Sequence, residues 1–164
     1  YGGSRSDRRL RAVNDALARE NIACLRFDYG AWDEGRAEAA DVATALEWTQ
    51  GEFERVGLFG YSFGAGVCIL ATAERNLAPA ALSVLAPPAT IVSAGDVTAA
   101  VEAVDIPAQA VYGERDDTVD WEAVVEVARA AGWRTDGIPA DHHFVGQDER
   151  VGETVAAFLT AELA

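Results

Sequence analysis

One pentapeptide, Gly60-Tyr61-Ser62-Phe63-Gly64, constrains the fold more than any other part of the chain. It joins an apolar run over residues 55–60 to an apolar, proline-free run over residues 63–73. The first run is typical of a buried strand and the second of a buried helix. Glycines two positions either side of Ser62 let strand and helix approach so closely that a side chain at Gly60 or Gly64 would collide. The sequence therefore predicts a sharp strand–turn–helix unit with Ser62 at the turn.

A serine in such a turn is a candidate nucleophile, because a strained backbone holds its hydroxyl clear of the main chain. The helix that follows leaves its first N–H groups free, so the Phe63 N–H can donate to an oxyanion. The alternative is a structural Gly/Ser turn that arose by chance. We favour the nucleophile because further residues of the required types follow Ser62 in the chain.

Those residues are two acids and two histidines. A serine hydroxyl needs an imidazole to take its proton, and the imidazole needs a carboxylate to fix its tautomer. Asp116 and Asp117 follow a buried strand pattern over residues 108–112, and His142 and His143 are the only histidines of the chain. Adjacent side chains point in different directions, so only one member of each pair can take part.

Four segments give the chain a resemblance to the small α/β-hydrolases of the dienelactone hydrolase-like group. They are Tyr1-Gly2-Gly3-Ser4, Gly60-Tyr61-Ser62-Phe63-Gly64, Gly113-Glu114-Arg115-Asp116 with Val119, and Ala140-Asp141-His142 with Phe144 and Gly146. The order Ser, Asp, His is that of this fold. The family's patterns select Asp116 and His142 over their neighbours. The resemblance implies ester or acyl hydrolysis by Ser62, with no cofactor and no metal. Dienelactone hydrolases themselves carry a cysteine nucleophile, so dienelactone is not implied as the substrate.

The opening residues resemble the loop that follows the first parallel strand in that family. The resemblance implies Tyr1 and Gly2 as candidates for the second oxyanion donor, beside Phe63. It also leads us to expect residues 1–164 to be a single domain from which the N-terminal strand is missing, preceded by roughly forty further residues.

Patterns along the chain alternate between strand and helix. This alternation predicts an α/β fold with a mostly parallel sheet, helices on both faces and a minimal cap. We expect Asp120 to cap the helix that it precedes. Cys24 and Cys68 are interpreted as small buried hydrophobic residues rather than disulfide or metal ligands. The predicted helices span residues 7–20, 38–49, 63–73, 97–103, 120–131 and 149–163, and the predicted strands span residues 22–27, 55–60, 81–86, 108–112 and 134–138.

Residues after strand ends are candidates for substrate contact, since the carboxyl ends of parallel strands form the rim of the active site. Tyr29 and Trp32 follow the predicted strand 22–27, although they could merely pack against the rim. Pro87 follows the strand 81–86, and Tyr61 precedes Ser62. We assign all four as candidate substrate-binding residues. The stretch after Pro87 is too short for a large lid domain.

The charge of the chain limits its partners. The net charge is −14, and all 13 basic residues are arginine. A strongly acidic chain offers no basic face to nucleic acid or to an anionic membrane. The composition favours a halophilic source, with a GC-rich genome as the alternative. No apolar run is long enough to cross a membrane and no secretory signal is visible, so we expect a cytoplasmic protein. The sequence leaves the oligomeric state open, and a homo-oligomer is one alternative.

The leading hypothesis is a serine hydrolase that cleaves a small-molecule carboxylic ester or thioester through an acyl-enzyme. A binding or scaffold protein of the same fold is one alternative, because fold does not imply function. An acyltransferase that uses the same three residues is another. A phosphate-binding loop is disfavoured, since the glycine-rich segment lacks the spacing and the lysine of a P-loop.

Overall fold

A computed structural model describes residues 3–74, at Glu74 the backbone only, and residues 77–164. The alternation of helices and strands is confirmed over most of this range. The helices are α1 (Arg8–Arg19), α2 (Arg36–Glu52), α3 (Phe63–Glu74), α4 (Val97–Val101), α5 (Trp121–Ala130) and α6 (Asp148–Leu163). The strands are β1 (Gly57–Tyr61), β2 (Ala81–Leu85), β3 (Thr90–Ile91), β4 (Gly95–Asp96), β5 (Ala108–Gly113) and β6 (Arg134–Ile138).

The main sheet is parallel throughout, as the alternation predicts. Within the described residues its strand order is β1-β2-β5-β6. Leu58 pairs with Leu82, Val84 with Ala110, and β5 continues the ladder to β6. Each connection between neighbouring strands runs through a helix, so all carboxyl ends lie at one edge of the sheet. That edge is where the predicted site residues follow their strands.

Helices cover both faces of the sheet, and alternate strand positions bury their side chains on opposite sides. Leu82 and Val84 pack with α3, α4 and α5 in one apolar cluster. Leu85 and Val111 pack with α1 and α6 in the other. All five positions of β2 are buried, which explains why four of its five residues are apolar rather than alternating with polar ones. The exception, Ser83, donates its hydroxyl to Gln109 Oε1 at 2.8 Å.

The predicted strand over residues 22–27 is wrong. These residues form no ladder within the described part of the chain, and Leu25 is 50% exposed. Their apolar pattern suits a strand, but a strand also needs a neighbour to bond its N–H and C=O groups, and β1 is paired there only with β2. Cys24 is consequently exposed, contrary to our expectation, whereas Cys68 in α3 is buried as expected.

Two local features also differ from the sequence analysis. Asp120 stands before α5, but its side chain makes no capping hydrogen bond. Instead Asp116 Oδ1 accepts the Thr118 N–H at 2.9 Å and organises the preceding turn. The short antiparallel hairpin of β3 and β4 was not predicted, because two-residue strands carry too little pattern to detect. It follows β2, where a small cap was expected.

None of the helices in the described ranges combines the length and the apolar character needed to cross a membrane.

Candidate active site

The turn after β1 holds Ser62 in a left-handed backbone conformation, with φ of 53°. Its N–H donates to the Leu85 carbonyl at 2.8 Å, and its own carbonyl accepts the Ala65 N–H at 2.9 Å. The Ser62 backbone is therefore bonded both to the neighbouring strand and to the helix that follows. Such over-determination can keep a non-glycine residue in a strained conformation.

The two motif glycines do different things. A Cβ on Gly60 would lie 2.4 Å from the Gly64 carbonyl oxygen, so only glycine fits there. At Gly64 a Cβ would meet the Tyr29 hydroxyl at 3.4 Å, an ordinary contact. The sequence-based expectation of a collision is confirmed for Gly60 and is wrong for Gly64, because the close approach is one-sided.

The base candidate that the structure brings to Ser62 is His142. Its Nε2 lies 2.9 Å from Ser62 Oγ. The imidazole is carried by the loop between β6 and α6 and is only 6% exposed. The neighbouring His143 is exposed on the surface, with its ring edge-on to His142 at 5.5 Å between centroids.

The acid candidate that reaches this imidazole is Asp116, whose Oδ2 lies 2.7 Å from His142 Nδ1. Asp116 is 7% exposed, while Asp117 is on the surface. An ionised carboxylate can only accept hydrogen bonds, so the proton of the neutral imidazole belongs on Nδ1. Nε2 is then left with its lone pair towards Ser62 Oγ, which is the arrangement a general base requires.

The acid loop and the base loop are joined through their backbones. Arg115 N–H donates to the Ala140 carbonyl at 3.0 Å, and Glu114 N–H to the Ile138 carbonyl at 2.8 Å. A Cβ on Gly113 would lie 2.7 Å from the Ala140 carbonyl oxygen. Glycine at the end of β5 thus allows the two loops to approach closely enough for Asp116 to reach the imidazole.

A candidate oxyanion donor, the Phe63 N–H, lies at the start of α3. No hydrogen bond within residues 3–74 and 77–164 uses the Phe63 N–H, which is the first of the helix. Such a group can donate to a negatively charged oxygen beside Ser62. Tyr1 and Gly2, the other predicted donors, lie outside the described residues.

Aromatic side chains flank the turn at Ser62. The Trp32 ring lies 5.0 Å from the Phe63 ring, and Tyr29 meets Phe63 edge-on at 6.1 Å. Trp32 is 53% exposed, so it presents apolar surface at the rim. Burial raises the pKa of the Tyr29 hydroxyl, which stays neutral. Pro87, two residues after the end of β2, is buried.

Two carboxylates of α2 hold the loop that carries Tyr29 and Trp32. Glu38, 1% exposed, accepts the N–H groups of Asp33 at 3.0 Å and Gly35 at 2.8 Å. Asp41 accepts the Gly30 N–H at 2.9 Å. Sequence analysis missed Glu38, although its position three residues after Gly35 is a visible capping-box spacing.

Tyr61 points to the α1 and α6 face of the sheet rather than towards Trp32. Its hydroxyl donates to the His142 carbonyl at 3.0 Å, and the Arg9 guanidinium lies 4.3 Å above its ring. Arg9 was also missed. Its contacts with Tyr61 and His143 join parts of the chain more than fifty residues apart, and no local pattern signals such contacts.

No cluster of three or more His, Cys, Asp or Glu side chains suited to a metal ion occurs in the described part of the chain.

No protein-family model matches the chain, and no curated protein matches its sequence. Solved structures do resemble it. The esterase Pf2001 of Pyrococcus furiosus superposes with a TM-score of 0.85 at 20% identity, over 100% of this chain and 79% of that one. Est1E from Butyrivibrio proteoclasticus gives 0.83 at 17% identity, over 99% and 84%. A serine hydrolase homologue from Coxiella burnetii gives 0.77 at 22% identity, over 99% and 79%.

Likeness at such low identity concerns architecture, since one fold hosts many activities. The architecture agrees with the parallel sheet, the turn at Ser62 and the helices on both faces. The chain has the α/β-hydrolase fold.

Proposed function

We propose that the protein is a serine hydrolase of the carboxylesterase type, dienelactone hydrolase-like, which cleaves small carboxylic esters or thioesters. The observation that carries the proposal is the hydrogen-bonded series Ser62 Oγ, His142 Nε2, His142 Nδ1 and Asp116 Oδ2, with separations of 2.9 and 2.7 Å. A serine, an imidazole and a buried carboxylate in this order form the arrangement that activates a hydroxyl for acyl transfer.

With the imidazole proton on His142 Nδ1, the lone pair of Nε2 is available for the acylation step. His142 Nε2 takes the hydroxyl proton as Ser62 Oγ bonds to the substrate's carbonyl carbon, and the carbonyl oxygen becomes an oxyanion. The Phe63 N–H donates to that oxyanion. The imidazolium then gives its proton to the leaving alkoxide or thiolate as the carbon–oxygen or carbon–sulfur bond breaks. The products are an acyl-Ser62 ester and a free alcohol or thiol.

Deacylation repeats the sequence with water. His142 takes a proton from a water molecule that attacks the acyl-Ser62 carbonyl, and returns it to Ser62 Oγ as the carboxylic acid leaves. In both steps the imidazole becomes charged. Asp116 stabilises that charge and holds the Nδ1 tautomer, and its burial strengthens the interaction.

The substrate contacts proposed are Tyr29, Trp32 and Pro87, at the rim around Phe63. Half-exposed Trp32 gives this rim an apolar face, which suits an uncharged acyl or alcohol group better than a charged one. Support comes from the neighbours, since Pf2001 is an esterase and Est1E has been solved with ferulic acid, an aromatic acid, bound to it. We place the reaction in the cytoplasm.

The test is labelling with a fluorophosphonate probe, which reacts with an activated serine and forms a covalent adduct measurable by mass spectrometry. The wild type and the surface control Ser6→Ala should label at equal rates, and Ser62→Ala should not label. Hydrolysis of an aryl acetate should fall by about 10⁴ to 10⁶ in kcat for Ser62→Ala. A wild type that neither labels nor turns over would favour a scaffold function.

A further inference from the structure

Two successive residues of the loop between β6 and α6, here called the His142 loop, have carbonyl groups that are bonded in an unusual way. Among the described residues, no backbone N–H donates to the carbonyl oxygen of either His142 or His143. Side chains from distant elements bond them instead. Tyr61 Oη donates to the His142 carbonyl at 3.0 Å. Arg8 Nη2 and Arg9 Nη1 donate to the His143 carbonyl at 2.7 and 2.9 Å.

The donor to the His142 carbonyl, Tyr61, directly precedes Ser62. Tyr61 and Ser62 are consecutive residues at the end of β1, and they contact opposite ends of His142. One bonds its carbonyl oxygen and the other its Nε2. Burial raises the pKa of Tyr61 to about 12, so its hydroxyl remains a donor throughout the pH range in which an imidazole titrates.

The Arg9 guanidinium lies over the Tyr61 ring. Its guanidinium carbon lies 4.3 Å from the ring centroid, within the range of a cation–π interaction. Asp7 holds the guanidinium in place, because Arg9 Nε donates to its Oδ1 at 2.9 Å and Nη2 donates to its Oδ2. Asp7 also caps α1 by accepting the Arg9 N–H at 2.8 Å. The arginine is therefore preorganised before it contacts the His142 loop.

We infer that Tyr61 and Arg9 are positioning residues for His142, holding its backbone so that Nε2 faces Ser62 Oγ. Tyr61, which we had assigned to substrate binding, acts here through its hydroxyl on the base rather than on the substrate. The inference rests on the proposed function for its catalytic consequence. The positioning itself can be measured without any substrate.

The structural readout is the Nδ1–H proton of His142, shared with Asp116, observed by NMR and assigned through its loss in His142→Asn. Tyr61→Phe keeps the ring beneath Arg9 and removes only the hydroxyl. Arg9→Lys keeps the charge and removes the planar fork. Both variants should shift or broaden this signal, because the imidazole no longer has one fixed orientation towards Asp116.

The kinetic readout is the change in kcat and, separately, the change in KM for an aryl acetate. The concentration of active enzyme is determined by fluorophosphonate titration, so that unfolded molecules do not contribute. A small misplacement of a catalytic group is costly, so kcat should fall about 10-fold to 100-fold for Tyr61→Phe. KM should stay within about twofold, as expected when substrate contacts are intact. Arg9→Lys should show a smaller loss in the same direction.

The chain offers a matched control pair. Arg129 Nη2 donates to the Tyr112 hydroxyl at 2.9 Å, and its guanidinium carbon lies 5.7 Å from that ring. Tyr112→Phe and Arg129→Lys remove the same kinds of group without touching the His142 loop. Neither should change the His142 signal or kcat.

The outcomes separate the two proposals. An unchanged Nδ1–H signal together with an unchanged kcat in Tyr61→Phe would overturn the positioning role. A raised KM at unchanged kcat would also overturn it and return Tyr61 to substrate binding. If the wild type is inactive but Tyr61→Phe still disturbs the Nδ1–H signal, the positioning role stands and the hydrolase proposal fails.

Discussion

A Cβ placed on Gly60 would lie 2.4 Å from the carbonyl oxygen of Gly64. The carbonyl oxygen belongs to the backbone, so no side-chain rearrangement would relieve the contact. It sets how closely α3 can follow β1, and thereby where the Ser62 hydroxyl stands.

Gly60→Ala should therefore destabilise the protein by at least about 3 kcal/mol, the upper end of the usual cost of overpacking. Gly64→Ala is the matched control, because it adds the same methyl group four residues later, where the methyl group makes only an ordinary contact with the Tyr29 hydroxyl. It should be neutral or stabilising by up to about 1 kcal/mol, since alanine is the better helix residue. Urea unfolding of both variants measures the difference, and equal destabilisation would contradict the steric role of Gly60.

Asp116→Asn should lower kcat by about 10³ to 10⁴, because an amide at this position no longer selects the Nδ1–H tautomer or stabilises the charged imidazole. Asp117→Asn, one residue away on the surface, should retain most of the activity. Steady-state kinetics on one ester substrate measures both. A larger loss in Asp117→Asn would reassign the acid.

Trp32→Ala should raise KM for an aryl ester by about twofold to tenfold, which corresponds to the loss of one aromatic contact of roughly 0.5 to 1.5 kcal/mol. Trp48→Ala is the control, since Trp48 is 59% exposed on α2. A methyl ester without a ring should be affected less than the aryl ester. If KM for the two esters changes equally, Trp32 does not contact the substrate.

Glu38→Gln should cost about 1 to 3 kcal/mol of folding stability, because the amide cannot accept both loop N–H groups as the carboxylate does. Glu47→Gln, on the exposed face of the same helix, should stay within about 0.5 kcal/mol of the wild type. Denaturant unfolding of the two variants measures the difference. Equal stabilities would mean that the buried carboxylate does not hold the rim loop.

The melting temperature should rise from dilute buffer to molar KCl. With a net charge of −14, repulsion between like charges weakens the folded state, and salt screens that repulsion. Differential scanning calorimetry in a KCl series measures the effect. A flat or falling curve would favour the composition of a GC-rich genome over a halophilic source.

The parts of the fold that could be predicted have local signals. The turn at Ser62 is marked by Gly60, and the buried strand β2 by apolar residues on both sides of Ser83, followed by Pro87. The strand proposed for residues 22–27 shows the limit of such patterns, because apolar character does not reveal whether a neighbouring strand is present to pair with it. The prediction that Cys24 is buried was wrong for the same reason.

The site divides in a similar way. Residue types and chain order limited the candidate acid to Asp116 or Asp117 and the candidate base to His142 or His143. The resemblance to the family then selected Asp116 and His142. The contacts of Tyr61 and Arg9 with the His142 loop join positions 81 and 134 residues apart. No periodicity or spacing encodes such pairings, which arise only when β1, α1 and the loop after β6 are packed together.

The strand order β1-β2-β5-β6 places Ser62 and His142 after strands at opposite edges of the described sheet. Three strand spacings amount to roughly 14 Å, which the loop after β6 must bridge to bring His142 over the end of β1. Asp116 follows β5, the strand paired with β6, and its carboxylate bonds the same imidazole at 2.7 Å. Three strand pairs lie along this span, so changes in their twist would add up between the His142 loop and Ser62. Warming should thus uncouple the serine from the imidazole while the imidazole still holds its carboxylate, so that activity fades at temperatures where the chain is still folded.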